Sequence, residues 1–194
     1  MANPLLQIVI TSTRPGRVGV PVAQWFTEIA KEHDGFDLEI VDLAEIDLPM
    51  TDEPHHPRLR QYVHQHTKDW SATVDRADAF VFVMPEYNFG FNAALKNALD
   101  HLSAEWQHKA VGFVSYGGVS AGTRAVQMIK QVVTTLKMVP IPEAVSIPFV
   151  QNFLDKDGKI LPNEVMQSSA KAMLDELHRF AEALRPLRDN NTDD

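Results

Sequence analysis

Short apolar runs alternate along the chain with segments in which apolar residues recur every three or four positions. The runs have the length and β-branched content of buried strands, and the spaced pattern is typical of helices with one apolar face. We predict five strands, at residues 8–10, 38–43, 79–84, 111–114 and 144–150. We predict five helices, marked by apolar stripes at residues 22–29, 70–74, 95–102, 126–136 and 170–184, and expect Thr67 to cap the second.

This alternation predicts a flavodoxin-like α/β fold: a doubly wound five-stranded parallel sheet of order 2-1-3-4-5 with helices on both faces. We assign residues 1–186 to a single domain and expect residues 187–194 to form a disordered tail. A connection with Pro49, Pro54 and Pro57 should lie on the surface. Ligands of such sheets bind at the carboxyl ends of the strands, where the strand order reverses between strands 1 and 3.

The composition of the chain argues against several classes of function. The formal net charge of -8 argues against a general nucleic-acid binder, which needs clustered positive charge. The absence of cysteine excludes disulfides, thiolate nucleophiles and sulfur-ligated metals. No apolar run approaches the ~18 residues of a membrane span, and no secretory leader is recognisable, so we expect a cytoplasmic protein with no membrane partner.

The loop after the first strand has the composition of a phosphate-binding loop. Hydroxyl groups, positive charge and glycines that permit close backbone approach come together in it, from Ser12, Thr13, Arg14, Gly16, Arg17 and Gly19. A helix beginning near residues 17–20 would add free backbone N–H groups. The loop matches neither the Walker nor the dinucleotide pattern, so a single terminal phosphate fits best. The alternative is an ordinary loop with an N-cap serine and solvated arginines.

The loops after strands 3 and 4 suit a flat ligand. Tyr87 offers a plane with a hydroxyl, Asn88 a donor and an acceptor, and Gly90 a close backbone approach. The second loop, residues 115–122, is glycine-rich and carries Tyr116. Either loop alone could be an ordinary turn between a strand and a helix. Beside a phosphate loop at the same edge of the sheet, they point to a heteroaromatic mononucleotide, and FMN is the natural candidate.

Four motifs resemble the NAD(P)H-dependent FMN reductases of flavodoxin-like fold, and the resemblance covers nearly the whole chain. The motifs are residues 12–17 (STRPGR), 85–88 (PEYN), 95–100 (LKNALD) and 115–118 (SYGG). Thr11 and Ala121 depart from the family, which usually has glycine at both positions. The resemblance implies that FMN is bound by Ser12, Arg14, Arg17, Val18 and Gly19 at the phosphate, by Pro85, Glu86, Tyr87 and Asn88 along the ribityl chain and ring, and by Ser115, Tyr116, Gly117 and Gly118 on the other side of the ring.

The resemblance also implies an enzyme that uses NAD(P)H as co-substrate and reduces a quinone, azo compound, flavin or similar small acceptor. It implies a homodimer or homotetramer. Because the flavin carries the chemistry, we assign no catalytic acid or base and expect backbone N–H groups near Gly117 and Gly118 to favour negative charge on the reduced ring. The alternatives are a flavodoxin-like electron carrier and a binding protein without turnover.

Other conspicuous residues receive structural interpretations. His55, His56, His64 and His66 cluster near the proline-rich connection, but no carboxylate spacing completes a known site, so we predict no metal. Glu86 is expected to form contacts and not to act as a catalytic carboxylate. Trp70, Glu105 and Trp106 are assigned to the core.

Overall fold

The computed structural model describes residues 3–189 and contains one parallel sheet. Its strands lie in the order 2-1-3-4-5, which confirms the predicted flavodoxin-like topology. The strands are β1 (Leu5–Ile10), β2 (Asp37–Asp42), β3 (Ala79–Pro85), β4 (Ala110–Gly117) and β5 (Val139–Pro148). All neighbouring pairs are parallel, so their carboxyl ends share one edge of the sheet.

Helices cover both faces of the sheet. They are α1 (Gly19–Glu32), α2 (Leu43–Ile46), α3 (Gln65–Asp75), α4 (Ala93–Asp100), α5 (Thr123–Thr135) and α6 (Glu164–Asp189), with 3-10 turns at Pro57–Leu59, Ala104–Trp106 and Val150–Phe153. One core joins α1 and α6 to the sheet, and a second joins α3, α4 and α5 to the opposite face. β3 is buried at every position, as a central strand covered on both faces must be. No helix within residues 3–189 is long and apolar enough to cross a membrane.

Several predicted boundaries need correction. His64, and not Thr67, stands at the N-cap of α3, while Thr67 is buried inside the helix. β5 begins five positions earlier than predicted, because an edge strand tolerates prolines that an interior strand would exclude. The short helix α2 was not predicted. It is capped by Asp42, whose carboxylate accepts from the Ala44 N–H at 3.0 Å.

Residues 187–189, assigned above to the tail, form the end of α6, which is a further correction. Arg188 anchors this end by donating to Asp78 Oδ1 at 2.8 Å and to the His108 carbonyl at 3.2 Å. The sequence pattern could not reveal these two long-range contacts. Residues 190–194 of the predicted tail lie outside the described residues.

The proline-rich connection between α2 and α3 is irregular apart from one 3-10 turn, as expected. It is nevertheless tied down at both ends. Asn97 of α4 accepts from the Thr51 N–H at 3.1 Å and donates to the Pro49 carbonyl at 2.7 Å. Glu53 accepts from the Val63 and His64 N–H groups at 2.8 and 3.0 Å, which closes the connection into a loop beside the start of α3.

Candidate cofactor site

The three predicted ligand loops converge on one cleft at the carboxyl ends of the strands. The cleft has a volume of about 200 Å³ and is lined by Arg14, Gly16, Val18, Pro85, Glu86, Tyr87, Tyr116, Gly117, Val150 and Gln151. The sequence analysis missed Val150 and Gln151, which follow β5. A signal was available, because the carboxyl end of a fifth strand must reach the same edge and the chain becomes polar there. A larger cleft of about 730 Å³ lies beside the residues that precede β4 and β5, at the opposite edge.

The loop between β1 and α1 presents backbone donors to this cleft. A turn closed by the Arg17 N–H and the Arg14 carbonyl, 3.2 Å apart, leads to Val18, the N-cap of α1. Val18 provides no side-chain cap, and the first N–H groups of a helix have no partner within it. Ser12 is not the N-cap residue. Its hydroxyl instead lies 2.8 Å from Tyr87 Oη, which joins the first loop to the second.

Tyr116 points its hydroxyl at the start of α1. The side chain is buried, and its Oη has no hydrogen-bond partner among residues 3–189. A Cβ added to Gly19 would lie 2.8 Å from this oxygen, so only glycine permits the approach. Burial, and then the nearby Tyr87, raise the pKa of Tyr116, while the Ser12 hydroxyl beside it and the Arg17 charge lower it in part, so the hydroxyl keeps its proton and remains a donor. An unsatisfied buried donor beside free helix amides fits an incoming anion.

The two arginines of the first loop differ. Arg17 donates to the carboxylate of Asp42, at the end of β2, and both side chains are mostly buried. Its charge is therefore already balanced by the protein. Arg14 is exposed, lines the cleft and makes no ion pair within the described part of the chain. Sequence reasoning treated the two residues alike because the strand end that supplies Asp42 is distant in the chain.

Glu86 anchors the second loop to the third, in agreement with its structural interpretation. Ser120 Oγ and Arg124 Nε donate to Glu86 Oε1 at 2.8 and 2.6 Å, and the Arg124 N–H donates to Oε2 at 3.2 Å. Burial would raise the pKa of Glu86, but the hydrogen bonds and the Arg124 charge lower it overall. The carboxylate is thus a charged tether, held ionised, and not a proton shuttle.

The turn at residues 87–90 holds two non-glycine residues in the left-handed region. Asn88 and Phe89 have φ of 50° and 72°, and the Tyr87 and Gly90 backbones exchange hydrogen bonds of 2.9 and 3.0 Å. Such turns usually contain glycine, and a bulky residue there is strained. The Phe89 ring lies 3.6 Å from Arg124 Cζ, a cation–π contact that offsets part of this strain.

The loop between β4 and α5 depends on tight backbone packing. Ser115 does not line the cleft, since its hydroxyl is buried and donates to the Ala121 carbonyl at 2.8 Å. Ala121 has φ of 54°, a left-handed conformation that favours glycine, which is the residue expected there from the resemblance. Gly118 is exposed and accepts from the N–H groups of Ala121 and Phe149 at 3.0 and 3.2 Å.

Thr11, the other departure, supports the site from behind. Its hydroxyl donates to Asn92 Oδ1 at 2.9 Å, and Asn92 Nδ2 returns a bond to the Thr11 carbonyl at 2.6 Å. Threonine therefore fixes the end of β1 to the N-cap of α4. Trp70, Glu105 and Trp106 are buried, as assigned.

Several known proteins are similar to this chain in sequence. The family model for NADPH-dependent FMN reductase matches residues 5–152. An NAD(P)H-dependent FMN reductase of Schizosaccharomyces pombe is 42% identical over 160 residues, which cover 79% of this chain and 80% of the relative. An FMN-dependent NADPH-azoreductase of Staphylococcus saprophyticus is 27% identical over 175 residues, 89% of this chain and 93% of the relative.

The solved structure of a flavoenzyme NAD(P)H:(acceptor) oxidoreductase from Paracoccus denitrificans superposes with a TM-score of 0.71 at 19% identity. The superposition covers 93% of this chain and 98% of that one, and at this identity it shows a shared fold. The matched segment includes β1 to β5 together with the three loops of the cleft. The chain belongs to the NADPH-dependent FMN reductase family.

Proposed function

We infer that this protein is an FMN-dependent NAD(P)H oxidoreductase and that FMN binds in the cleft at the carboxyl ends of the strands. The main support for the site is the Tyr116 hydroxyl, which is buried without a hydrogen-bond partner among residues 3–189 and is directed at the uncapped start of α1. An oxygen of a terminal phosphate would satisfy this donor and the helix amides together. The donor set therefore fits FMN.

We assign the phosphate to the exposed guanidinium of Arg14, the hydroxyls of Ser12 and Tyr116, and the N–H groups of Val18 and Gly19. Arg17 is a positioning residue in this proposal. It holds the loop against β2 through Asp42 and contributes little free charge.

The turn at residues 87–90 and the backbone of Gly117 and Gly118 are the proposed neighbours of the ring. When bound, FMN accepts a hydride from NAD(P)H and passes the electrons to an acceptor. The residues of this chain position that reaction. Tyr87 and Pro85 border the cleft, and Glu86 fixes the distance between the two ring-binding loops through Ser120 and Arg124. Backbone N–H groups near Gly117 favour negative charge on the pyrimidine side.

Small organic acceptors, such as quinones, azo compounds or free flavins, are the proposed electron acceptors. The cleft offers no second nucleotide loop, so we propose that nicotinamide and acceptor occupy the same face in turn. Double-reciprocal plots of initial rate against nicotinamide concentration, at several fixed acceptor concentrations, should then give parallel lines. Intersecting lines would contradict the scheme.

A homodimer or homotetramer is part of the proposal. Exposed apolar side chains at Phe89, Val119 and Phe149 lie in the loops that border the cleft, and a second subunit would cover them. Light scattering during size-exclusion chromatography measures the assembly, and a monomer at micromolar concentration would contradict it. The cytoplasmic location predicted from the sequence is also carried into the proposal.

Anaerobic mixing of the FMN-loaded protein with NADH or NADPH tests the activity. Loss of the oxidised flavin absorption within the mixing time, and its return when a quinone is added, is the expected result. A flavin that binds but stays oxidised with both nicotinamides would indicate an electron carrier. Failure to bind FMN would overturn the site, and riboflavin, which lacks the phosphate, is the matched ligand control.

A further inference from the structure

A second cluster of polar side chains lies away from the cleft, where the proline-rich connection meets α3 and α4. Asp52 belongs to the connection, His66 to the first turn of α3, and His101 to the C-cap of α4. One ligand atom from each of these side chains lies within 4.8 Å of the other two. The sequence analysis considered His64 and His66 but found no carboxylate at a suitable spacing. Folding supplies Asp52 and His101.

His101 is prepared as a ligand. The side chain is 1% exposed, and its Nδ1 lies 2.8 Å from the Asn97 carbonyl. A carbonyl only accepts, so Nδ1 carries the proton and Nε2 keeps its lone pair. That Nε2 has no hydrogen-bond partner among residues 3–189. A histidine that donates one ring N–H to a backbone carbonyl and leaves the other nitrogen free is the usual arrangement in metal sites.

Asp52 and His66 are already at ligand spacing. Asp52 Oδ1 lies 3.0 Å from His66 Nε2. Two atoms bound to one zinc ion at about 2.0–2.1 Å in tetrahedral geometry are roughly 3.3 Å apart. An ion could therefore replace the proton that these atoms share. Side-chain rotation would have to bring His101 Nε2 to the same spacing to complete the set.

The surrounding contacts hold these three side chains in place. Asn97 binds the connection through its side chain, on either side of residue 50, and accepts from His101 through its carbonyl. Glu53, next to Asp52, accepts from the first backbone N–H groups before α3. The three proposed ligands are therefore held by hydrogen bonds that fix the connection to α3 and α4.

We propose that Asp52, His66 and His101 form a binding site for a divalent transition metal, with zinc as the preferred ion. Two imidazoles and one carboxylate suit zinc better than magnesium or calcium, which prefer oxygen ligands alone. Water fills the fourth position. His64 stacks on the His66 ring at a centroid distance of 5.2 Å, and its Nε2 lies 3.9 Å from Asp52 Oδ2. The ion would join the connection to two helices.

Zinc binding to the tag-free protein, stripped with a chelator, tests the site. We expect one zinc per chain by equilibrium dialysis and elemental analysis. At zinc concentrations of about 100 times Kd, the melting temperature should rise by roughly 5–11 °C. Cobalt(II) is the spectroscopic probe, and its visible bands should appear on addition and disappear when zinc displaces it.

Matched variants assign the ligands. Loss of a partner outside the coordination shell typically costs 10–100-fold in metal affinity, so His66→Ala and Asp52→Asn should each lose on the order of 100-fold or more. His55→Ala, an exposed histidine of the same connection, should bind zinc as the parent does. His66 and Asp52 are not fully buried, so circular dichroism should show folded variants. The inference is overturned if the parent shows no stoichiometric zinc, or if His66→Ala and His55→Ala bind it equally.

Discussion

Removal of the Tyr116 hydroxyl should move stability and FMN affinity in opposite directions. Tyr116→Phe deletes one oxygen that is buried and has no hydrogen-bond partner in the described part of the chain. An unsatisfied buried polar group costs about 1–3 kcal/mol. The free energy of unfolding of the flavin-free protein should therefore rise by about 1 kcal/mol or more, which corresponds to roughly 2–4 °C in melting temperature per kcal/mol for a chain of this size.

The same change removes a donor from the proposed phosphate site. A hydrogen bond to a charged group contributes roughly 1.5–3 kcal/mol, so the dissociation constant for FMN should increase about 10- to 150-fold. Riboflavin affinity should change little. Urea denaturation of the flavin-free protein and flavin fluorescence titration give the two quantities. Tyr87→Phe is the control, because its Oη lies 2.8 Å from Ser12 Oγ and its loss should lower stability.

Gly19→Ala supplies an independent check on the position of that oxygen. The new Cβ would lie 2.8 Å from Tyr116 Oη; without that oxygen, the nearest atoms are Ile10 Cγ2 at 3.3 Å and the ring atom Cζ at 3.8 Å. Overpacking of this kind costs about 1–3 kcal/mol, and most of the cost should disappear in the Tyr116→Phe background. A destabilised Tyr116→Phe protein, or additive effects of the two substitutions, would refute the reasoning.

Four other substitutions test the exposed charge of Arg14, the ion pair of Arg17, the strained backbone at Ala121 and the titration of Lys109. Arg14→Ala should change stability by less than about 0.5 kcal/mol and weaken FMN about 10- to 150-fold in titrations. Arg17→Ala should lower the free energy of unfolding, measured by urea denaturation, by roughly 1.5–3 kcal/mol, because it leaves the mostly buried Asp42 carboxylate without its ion-pair partner. Ala121→Gly should raise the free energy of unfolding by roughly 0.5–1 kcal/mol by relieving a positive φ. Burial lowers the pKa of Lys109 to about 8, so between pH 8 and 10.5 the unfolded chain binds more protons and stability rises with pH. The rise should reach about 2 kcal/mol from pH 7.5 to 9.5, and Lys109→Met should abolish it.

The sequence predicted the sheet order and the edge that carries the site, because both follow from local patterns. The central strands β3 and β4 have apolar runs, the longer helices have an apolar stripe, and the loops that suit a ligand follow the strands. The edge strand β5 was less well predicted. Its prolines interrupt the apolar pattern from which a strand is predicted, but a strand at the edge of a sheet tolerates proline.

Contacts between residues that are distant in the chain could not be predicted from local sequence patterns. Asp42 removes Arg17 from the set of free cations, although the two arginines look alike in the loop. Arg188 bonds to Asp78 and anchors the end of α6, which the sequence pattern had assigned to a disordered tail. Asp52 and His101 come together only through the packing of the connection on α4. In each case, the surroundings of the side chain depend on a contact between residues that are distant in the sequence.

The site combines loops that are bonded to one another with donors that are left free. Glu86 holds Arg124 and Ser120, Thr11 holds Asn92, and Ser12 meets Tyr87, so the walls of the cleft are fixed by the protein itself. A cleft that is already in place does not have to be ordered at the expense of binding energy. Tyr116 Oη and the first amides of α1 are then the groups that gain most when an anion arrives. In the proposed site, the unsatisfied hydroxyl would cost the flavin-free fold stability and would add affinity for the phosphate, which is why the two effects of its removal should have opposite signs.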